Sequence, residues 1–231
     1  MGNLFSPELI PGYILKIVRA IPKTFEILLI SLALSLMLGG VFAAMSLSNR
    51  RVLQKVSAGW ISFMRGVPTL ILIFLLYLGL PQILKRAGID LSGVSATTII
   101  IITLSLSVSA NMAEMIRSSY LAVDKGQREA ALSIGMSPSS AFIRIILPQA
   151  FGIAIPTLGN NIIMLFKETS LAFTIGVMDL MGKARAVSAI DYGATKLEVY
   201  IAAGIIFWAF CFAFEKLFKL FEKLYTVGRK T

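Results

Sequence analysis

The residues of this chain that could do chemistry are few, and their kinds narrow its work at once. It has no histidine and a single cysteine, Cys211, set inside an apolar run. Imidazole general-base chemistry, the usual metal chemistry and any intrachain disulfide are therefore missing. No G-x-x-x-x-G-K-[ST] loop occurs, and the tail Val-Gly-Arg-Lys-Thr lacks the glycine-rich cradle that nucleotide phosphates need. We expect neither catalysis nor a bound metal or cofactor. What remains are polar groups embedded in apolar surroundings: Arg65, Asn111, Glu114, Asn160, Asn161, Lys167 and Glu168. An unpaired charge or amide in hydrocarbon costs on the order of 2.5–3.5 kcal/mol, so such groups turn toward partners or a cavity. Asn111, Glu114, Asn160, Asn161 and Glu168 are candidates to line a path for a polar cargo. Arg65, Pro68 and Lys167 are candidates for a structural or gating role. Packing explanations stand beside these. Glu114 and Arg117 are three apart on one helix and can simply pair, and Asn160-Asn161 can act as interhelical hydrogen-bond glue.

The elements that must position these groups are membrane helices. Of 231 residues, 57% are hydrophobic and 15% charged, with mean hydropathy +0.83, whereas a soluble domain carries about 25% charged residues. The net charge of +10 comes from 22 basic residues scattered between apolar runs. That pattern fits anchoring of loops to anionic headgroups and argues against nucleic acid. Crossing about 30 Å of hydrocarbon takes about 20 apolar residues. Five stretches qualify within one membrane domain, 1–231: 24–48, 56–80, 91–116, 145–166 and 199–222. The second holds Arg65 and a proline, Pro68, that should kink it. The last runs on as an amphipathic helix whose Lys216, Lys219 and Lys223 can snorkel to the surface. Gly39, Gly40, Ala43 and Ala44 make small-x-x-x-small steps for packing on the first span.

Five spans place the termini on opposite sides. Counting Lys and Arg in short loops favours an outside N-terminus and a cytoplasmic C-terminus, with Arg50, Arg51, Lys55, Lys125, Arg128, Arg229 and Lys230 on the inner face. Ahead of the first span, Tyr13, Ile14, Ile17, Val18 and Ile21 form one helical face, with Lys16, Arg19 and Lys23 opposite, as suits a helix lying in the interface. The opening Met-Gly-Asn-Leu-Phe-Ser matches a myristoylation pattern, which five spans make redundant. Thr169–Met178 is too short to cross and reads as part of a re-entrant or surface helix pair on the outer side.

The segment 125–147 interrupts the apolar runs. Lys125 to Ile134 is charged and helix-compatible, and Gly135 follows where a stopping helix needs a left-handed residue. Ser137 then caps a new helix with Pro138 at its first position. The run Glu129-Ala130-Ala131, Gly135, Ile145, Leu147 and Pro148 resembles the E-A-A-x3-G-x9-I-x-L-P signature of permease subunits of ATP-binding cassette importers. Arg65-Gly66-Val67-Pro68-Thr69-Leu70 with Tyr77-Leu78-Gly79-Leu80-Pro81, Ala113-Glu114-Met115-Ile116-Arg117 with Lys125-Gly126-Gln127, and Lys167-Glu168-Thr169-Ser170-Leu171 are similar to motifs of the polar amino-acid subfamily. Val67 stands where threonine is usual, Leu72 where glutamine is common, Asn111 where tyrosine is frequent, and Ser118-Ser119 in place of a glycine pair.

The resemblance implies an all-α membrane permease of the type I importer architecture, with five spans, an N-terminal interfacial helix and a cytoplasmic coupling helix. Glu129, Ala130, Ala131, Gly135, Leu147 and Pro148 would then couple it to a separate ATPase, which holds ATP and Mg. Implied partners are a second permease, identical or paralogous, two ATPase subunits, an extracytoplasmic binding protein and membrane lipid; the place is a bacterial inner membrane. The cargo would be a polar amino acid, with cystine the reading that overall similarity suggests. An ion-driven secondary transporter would more often show inverted repeats, and no internal repeat is visible. A scaffold without cargo leaves the Glu129–Pro148 spacing unexplained.

Overall fold

The computed structural model describes residues 5–90, 93–190, 192 and 194–227. The expectations placed on Met1–Leu4, Leu91, Arg229 and Lys230 lie outside the described residues. Among the described residues the chain is helical and holds five helices long and apolar enough to cross a membrane.

Among the described residues a 3-10 turn at Pro7–Leu9 leads into α1 (Ile10–Ile17), which buries Tyr13 and Ile17, and a second 3-10 turn at Val18–Ala20 leads into α2 (Ile21–Ser46). A short loop gives α3 (Arg51–Gly66). There the structure corrects the reading of one span over 56–80. Val67 is extended, at φ −99° and ψ 125°, because the ring of Pro68 clashes with a helical residue before it. Helix resumes as α4 (Thr69–Phe74), widens through a π turn at Leu75–Gly79 and ends as α5 (Leu80–Arg86). The membrane-length apolar helix is thus Thr69–Arg86, and Arg65 sits before the break rather than inside a span.

Next come α6 (Ala96–Leu121) and α7 (Lys125–Ser133), then one helical column made of α8 (Pro138–Ala141), a π turn at Phe142–Ile146 and α9 (Leu147–Thr169). Both π turns directly precede a proline pair, Leu80-Pro81 and Leu147-Pro148. A proline has no N–H to return to the carbonyl four residues back. The wider turn supplies a bond five residues back instead, from Leu80 N–H to Leu75 O and from Leu147 N–H to Phe142 O. The chain closes with a 3-10 turn at Ser170–Ile175, α10 (Leu180–Ala189) and α11 (Lys196–Val227).

The core is built around α6, whose Ile100, Leu104, Val108 and Met112 are fully buried. Its most extensive neighbour is α2. They approach so closely that a Cβ on Gly39 would stand 2.5 Å from Met112 Cβ, so glycine is what permits this crossing. Of the small residues on that face, Gly39 and Ala43 are buried while Gly40 meets open space. On the other side Phe166 of α9 packs against Phe25, Phe207, Phe210 and Phe214, with ring centroids 6.2, 5.2, 5.6 and 5.4 Å away. This cluster joins α2, α9 and α11. Ser105 and Ser109 inside α6 spend their hydroxyls locally, donating to Ile101 O at 2.6 Å and Leu106 O at 2.7 Å, so they cost little in the apolar interior.

Candidate functional site

At one end of the bundle α7 and α8 form a polar hairpin. Asp124 caps α7 by accepting from Gly126 N–H at 2.6 Å, and Ser137 caps α8 by accepting from Ser140 N–H at 3.3 Å. Between them Gly135 carries φ +85°. Its N–H donates to Leu132 O at 3.0 Å while Met136 N–H donates to Ala131 O at 3.1 Å, the paired bonds of a Schellman ending. Ala131 is buried, holding the hairpin to the bundle, whereas Glu129 and Ala130 are exposed. A groove of 290 Å³ runs beside α7 between Glu129, Leu132, Tyr120 and Ile146. Around it Leu132, Ile134, Phe142, Ile143 and Leu147 show apolar surface, Ile134 at 79% exposure. Gln149 donates to Ile145 O at 2.9 Å, next to Pro148. The result is a rigid knob with an apolar face and charged edges.

Deeper in the bundle the polar residues separate into distinct settings. Glu168, at the end of α9, accepts a hydrogen bond from Thr69 at the start of α4 at 3.3 Å, and Thr69 bonds Ser107 at 3.0 Å. Ser107 lies near the middle of α6, so this carboxylate sits at mid-bundle depth. Its second oxygen, Oε2, is buried with no hydrogen-bond partner. An orphaned carboxylate oxygen in such surroundings is costly unless something completes it. Neighbouring Lys167 points elsewhere, into a cleft of 390 Å³ beside Ser170, Tyr200, Gly204 and Phe207.

Glu114 is held by Arg117, which donates from Nε at 3.0 Å and from Nη2 at 2.5 Å. Arg65 is exposed. The two asparagines diverge. Asn161 Nδ2 faces Met112 and Met115 sulfurs at 3.9 and 3.8 Å, whereas Asn160 lines a separate cleft with Pro156, Glu215 and Lys219. Asn111 is half-buried on α6, and its side chain makes no hydrogen bond among the described residues. The structure therefore brings Glu168 together with Thr69 and Ser107, which the sequence reading did not pair with it. It does not bring Asn160 to the face of Asn161.

Two buried carboxylates escaped the sequence reading altogether. Asp179 caps α10 by accepting from Gly182 N–H at 2.8 Å and is fully buried; burial pushes its carboxyl up to about 6. Glu198 accepts from Ser6 N–H at 2.8 Å. Asp179 had a visible signal, an acidic residue just before a helix; Glu198 had none.

Known proteins share both the chain and its shape. Residues 35–227 match the family described as binding-protein-dependent transport system inner membrane components. The chain is 39% identical over 223 residues to the L-cystine transport system permease protein TcyL of Bacillus subtilis (strain 168), covering 96% of this chain and 92% of the relative. It is 41% identical over 209 residues to the probable amino-acid permease protein YxeN of the same organism, covering 90% of each. Among solved structures, an amino acid ABC transporter crystallised with histidines superposes with a TM-score of 0.81 at 29% identity, over 94% of this chain and 98% of that one. The MetNI methionine transporter, at 17% identity, shares the fold with a TM-score of 0.66, over 88% and 94% of the two chains. With so much of the chain matched, it belongs to the binding-protein-dependent transport system inner membrane components, as a multi-pass permease subunit of an ATP-binding cassette importer that works with a partner permease and a separate ATPase.

Proposed function

We propose that this chain forms half of the passage through which a polar amino acid of the cystine type enters a bacterial cell, and that Glu168 receives the cargo's ammonium group. The observation that carries the reading is the Thr69–Ser107–Glu168 cluster, with its unpartnered Oε2 at mid-bundle depth. A zwitterion leaving water needs a carboxylate or carbonyl to replace the shell around its ammonium, held in a surface that does not grip too hard. One half-satisfied carboxylate beside two hydroxyls supplies that. The naming of TcyL as an L-cystine permease supports the cargo class.

The remaining roles follow the same reading. The N-terminus lies outside and the C-terminus inside, so the α7–α8 hairpin meets the ATPase in the cytoplasm. Its exposed Glu129, Leu132 and Leu147 enter a cleft of that partner, Ala131 anchors the hairpin, and Gly135 and Pro148 fix its angle. A second copy or a paralogue completes the passage, and a binding protein delivers the cargo at the outer end near α10. ATP-driven closure of the two ATPases moves the hairpins and rocks the helices between two access states, which requires different contacts in each state.

The test is uptake of labelled cystine by the assembled transporter in proteoliposomes, with unlabelled amino acids as competitors. Glu168→Gln should lower uptake about 10–100-fold, the scale of a lost charge-assisted hydrogen bond, with basal ATP hydrolysis retained. Thr69→Val should cost less. Unchanged uptake in Glu168→Gln would move the cargo site elsewhere.

A further inference from the structure

A cleft at the other end of the bundle from the coupling hairpin carries a charge pattern that the cargo site at Glu168 does not use. It opens beside the first turn of α2, has a volume of 450 Å³, and is lined by Arg19, Lys23, Glu26 and Lys183 together with Pro22 and Met178. Its walls are fixed by buried hydrogen bonds. Leu180 N–H donates to Thr24 Oγ1 at 2.9 Å, and Asp179 caps the same turn of α10. Lys183 is thereby held across from the start of α2.

The charges in the cleft do not cancel. Lys23 is taken up by Glu26, with its Nζ 3.2 and 3.0 Å from the two carboxylate oxygens. The side chains of Arg19 and Lys183 have no hydrogen bond or ion pair among the described residues. Two uncompensated cations thus share one cleft with an apolar wall, where Met178 is 56% exposed. The cleft lies just ahead of the charge-free run that starts at Ile27; with α2 crossing the membrane, that position falls where the hydrocarbon begins, next to the headgroups.

We propose that this cleft binds the phosphate of an anionic phospholipid. Arg19 offers a planar fork to two phosphate oxygens and Lys183 a point charge to the same group. Met178 and Pro22 lie against the glycerol and the first carbons of a chain. An acidic protein surface would satisfy the cations but not the apolar wall; a lipid satisfies both. The inference rests on the membrane setting of the chain and not on the cargo assigned to Glu168.

Native mass spectrometry of the assembled transporter, doped with phosphatidylglycerol or phosphatidylcholine, tests it. The unaltered complex should retain one more phosphatidylglycerol per permease chain than Arg19→Gln/Lys183→Gln, with affinity about fivefold weaker for each cation removed. Lys55→Gln, with a comparable loss of charge elsewhere, should keep the lipid. Arg19→Lys/Lys183→Arg, which preserves charge, should also keep it and separates charge loss from misfolding. Equal retention of the two lipids, equal loss in Lys55→Gln, or unchanged retention in the double glutamine variant would overturn the proposal. Displacement by millimolar inorganic phosphate would do so too, by showing a free-anion site. So would a double variant that keeps its lipid but loses stimulation by the binding protein, which would make the cleft a protein-docking surface.

Discussion

Glu168 and Glu114 are both carboxylates in membrane helices, yet their surroundings give them opposite prospects. Glu114 is closed by a bidentate arginine three residues away, a local pairing that spacing alone suggested. Glu168 depends on Thr69, 99 residues distant, and no local pattern discloses that pairing; only the turn of chain created by Pro68 brings Thr69 there. The asparagines show the same limit. Adjacent residues on a helix point about 100° apart, so Asn160 and Asn161 had to part company, although which one faces α6 depends on packing. Asn161→Leu removes an amide beside two methionine sulfurs, and a methionine contact substitutes poorly for a cargo. Uptake should fall or amino-acid preference should shift in that variant while ATP hydrolysis persists, read as KM and rate for cystine against competitors. An unchanged profile would make Asn161 packing glue.

At the scale of elements, what could be read locally agrees with what formed. Gly135 and Ser137 mark the end and the restart of a helix through residues a few positions apart, and no tertiary contact was needed to place them. The kink at Pro68 was legible, but the span was drawn across it because a hydropathy window counts apolar residues on both sides of a break, whereas Pro68 forces its neighbour Val67 out of helix altogether. The π turns before Pro81 and Pro148 were invisible as turns, although the prolines that provoke them stand in plain view. Gly135→Val should cost about 1–3 kcal/mol in backbone strain, since no side chain crowds the position. The hairpin would tilt, and uptake and cargo-stimulated ATP hydrolysis should fall together at normal membrane abundance. Normal uptake would detach this hairpin from coupling.

Asp179 gives α10 a pH dependence of its own. Its folded value of about 6 lies above its usual 3.8, so the fold prefers the protonated carboxyl. That contribution is complete below about pH 4 and disappears as pH rises through about 6, amounting to no more than about 3 kcal/mol. Hydrogen exchange of Leu180–Ala189, corrected for intrinsic rates, should be slower at pH 5 than at pH 7.5. Asp179→Asn keeps a capping oxygen and should flatten the difference; an unchanged pH response in that variant would assign it to another group.

For the whole molecule, the number of membrane-length helices was legible because insertion depends on composition, while their orientation rests on a modest excess of basic residues. Single cysteines at Arg51, Lys125 and Lys85 in a Cys211→Ser background should settle it. An impermeant thiol reagent on intact cells should reach the cysteine at Lys85 only, and the other two after the inner face is opened. Labelling of Lys125→Cys in intact cells would invert the chain and remove the hairpin from the ATPase.

The clasp between the chain's beginning and its end sets a clock on synthesis. Ser6 N–H waits for Glu198, 192 residues later, and Tyr13 OH waits for Thr195, where it donates at 2.7 Å. At about 5–20 residues per second a ribosome needs about 10–40 s to deliver these partners. Until then α1 lacks α11, the helix it packs against most extensively, and the face that will bury Ile17 and Tyr13 is only partly covered. Nascent chains halted before α11 should therefore expose α1 to protease in a way that completed chains do not, so a helix made early is locked late.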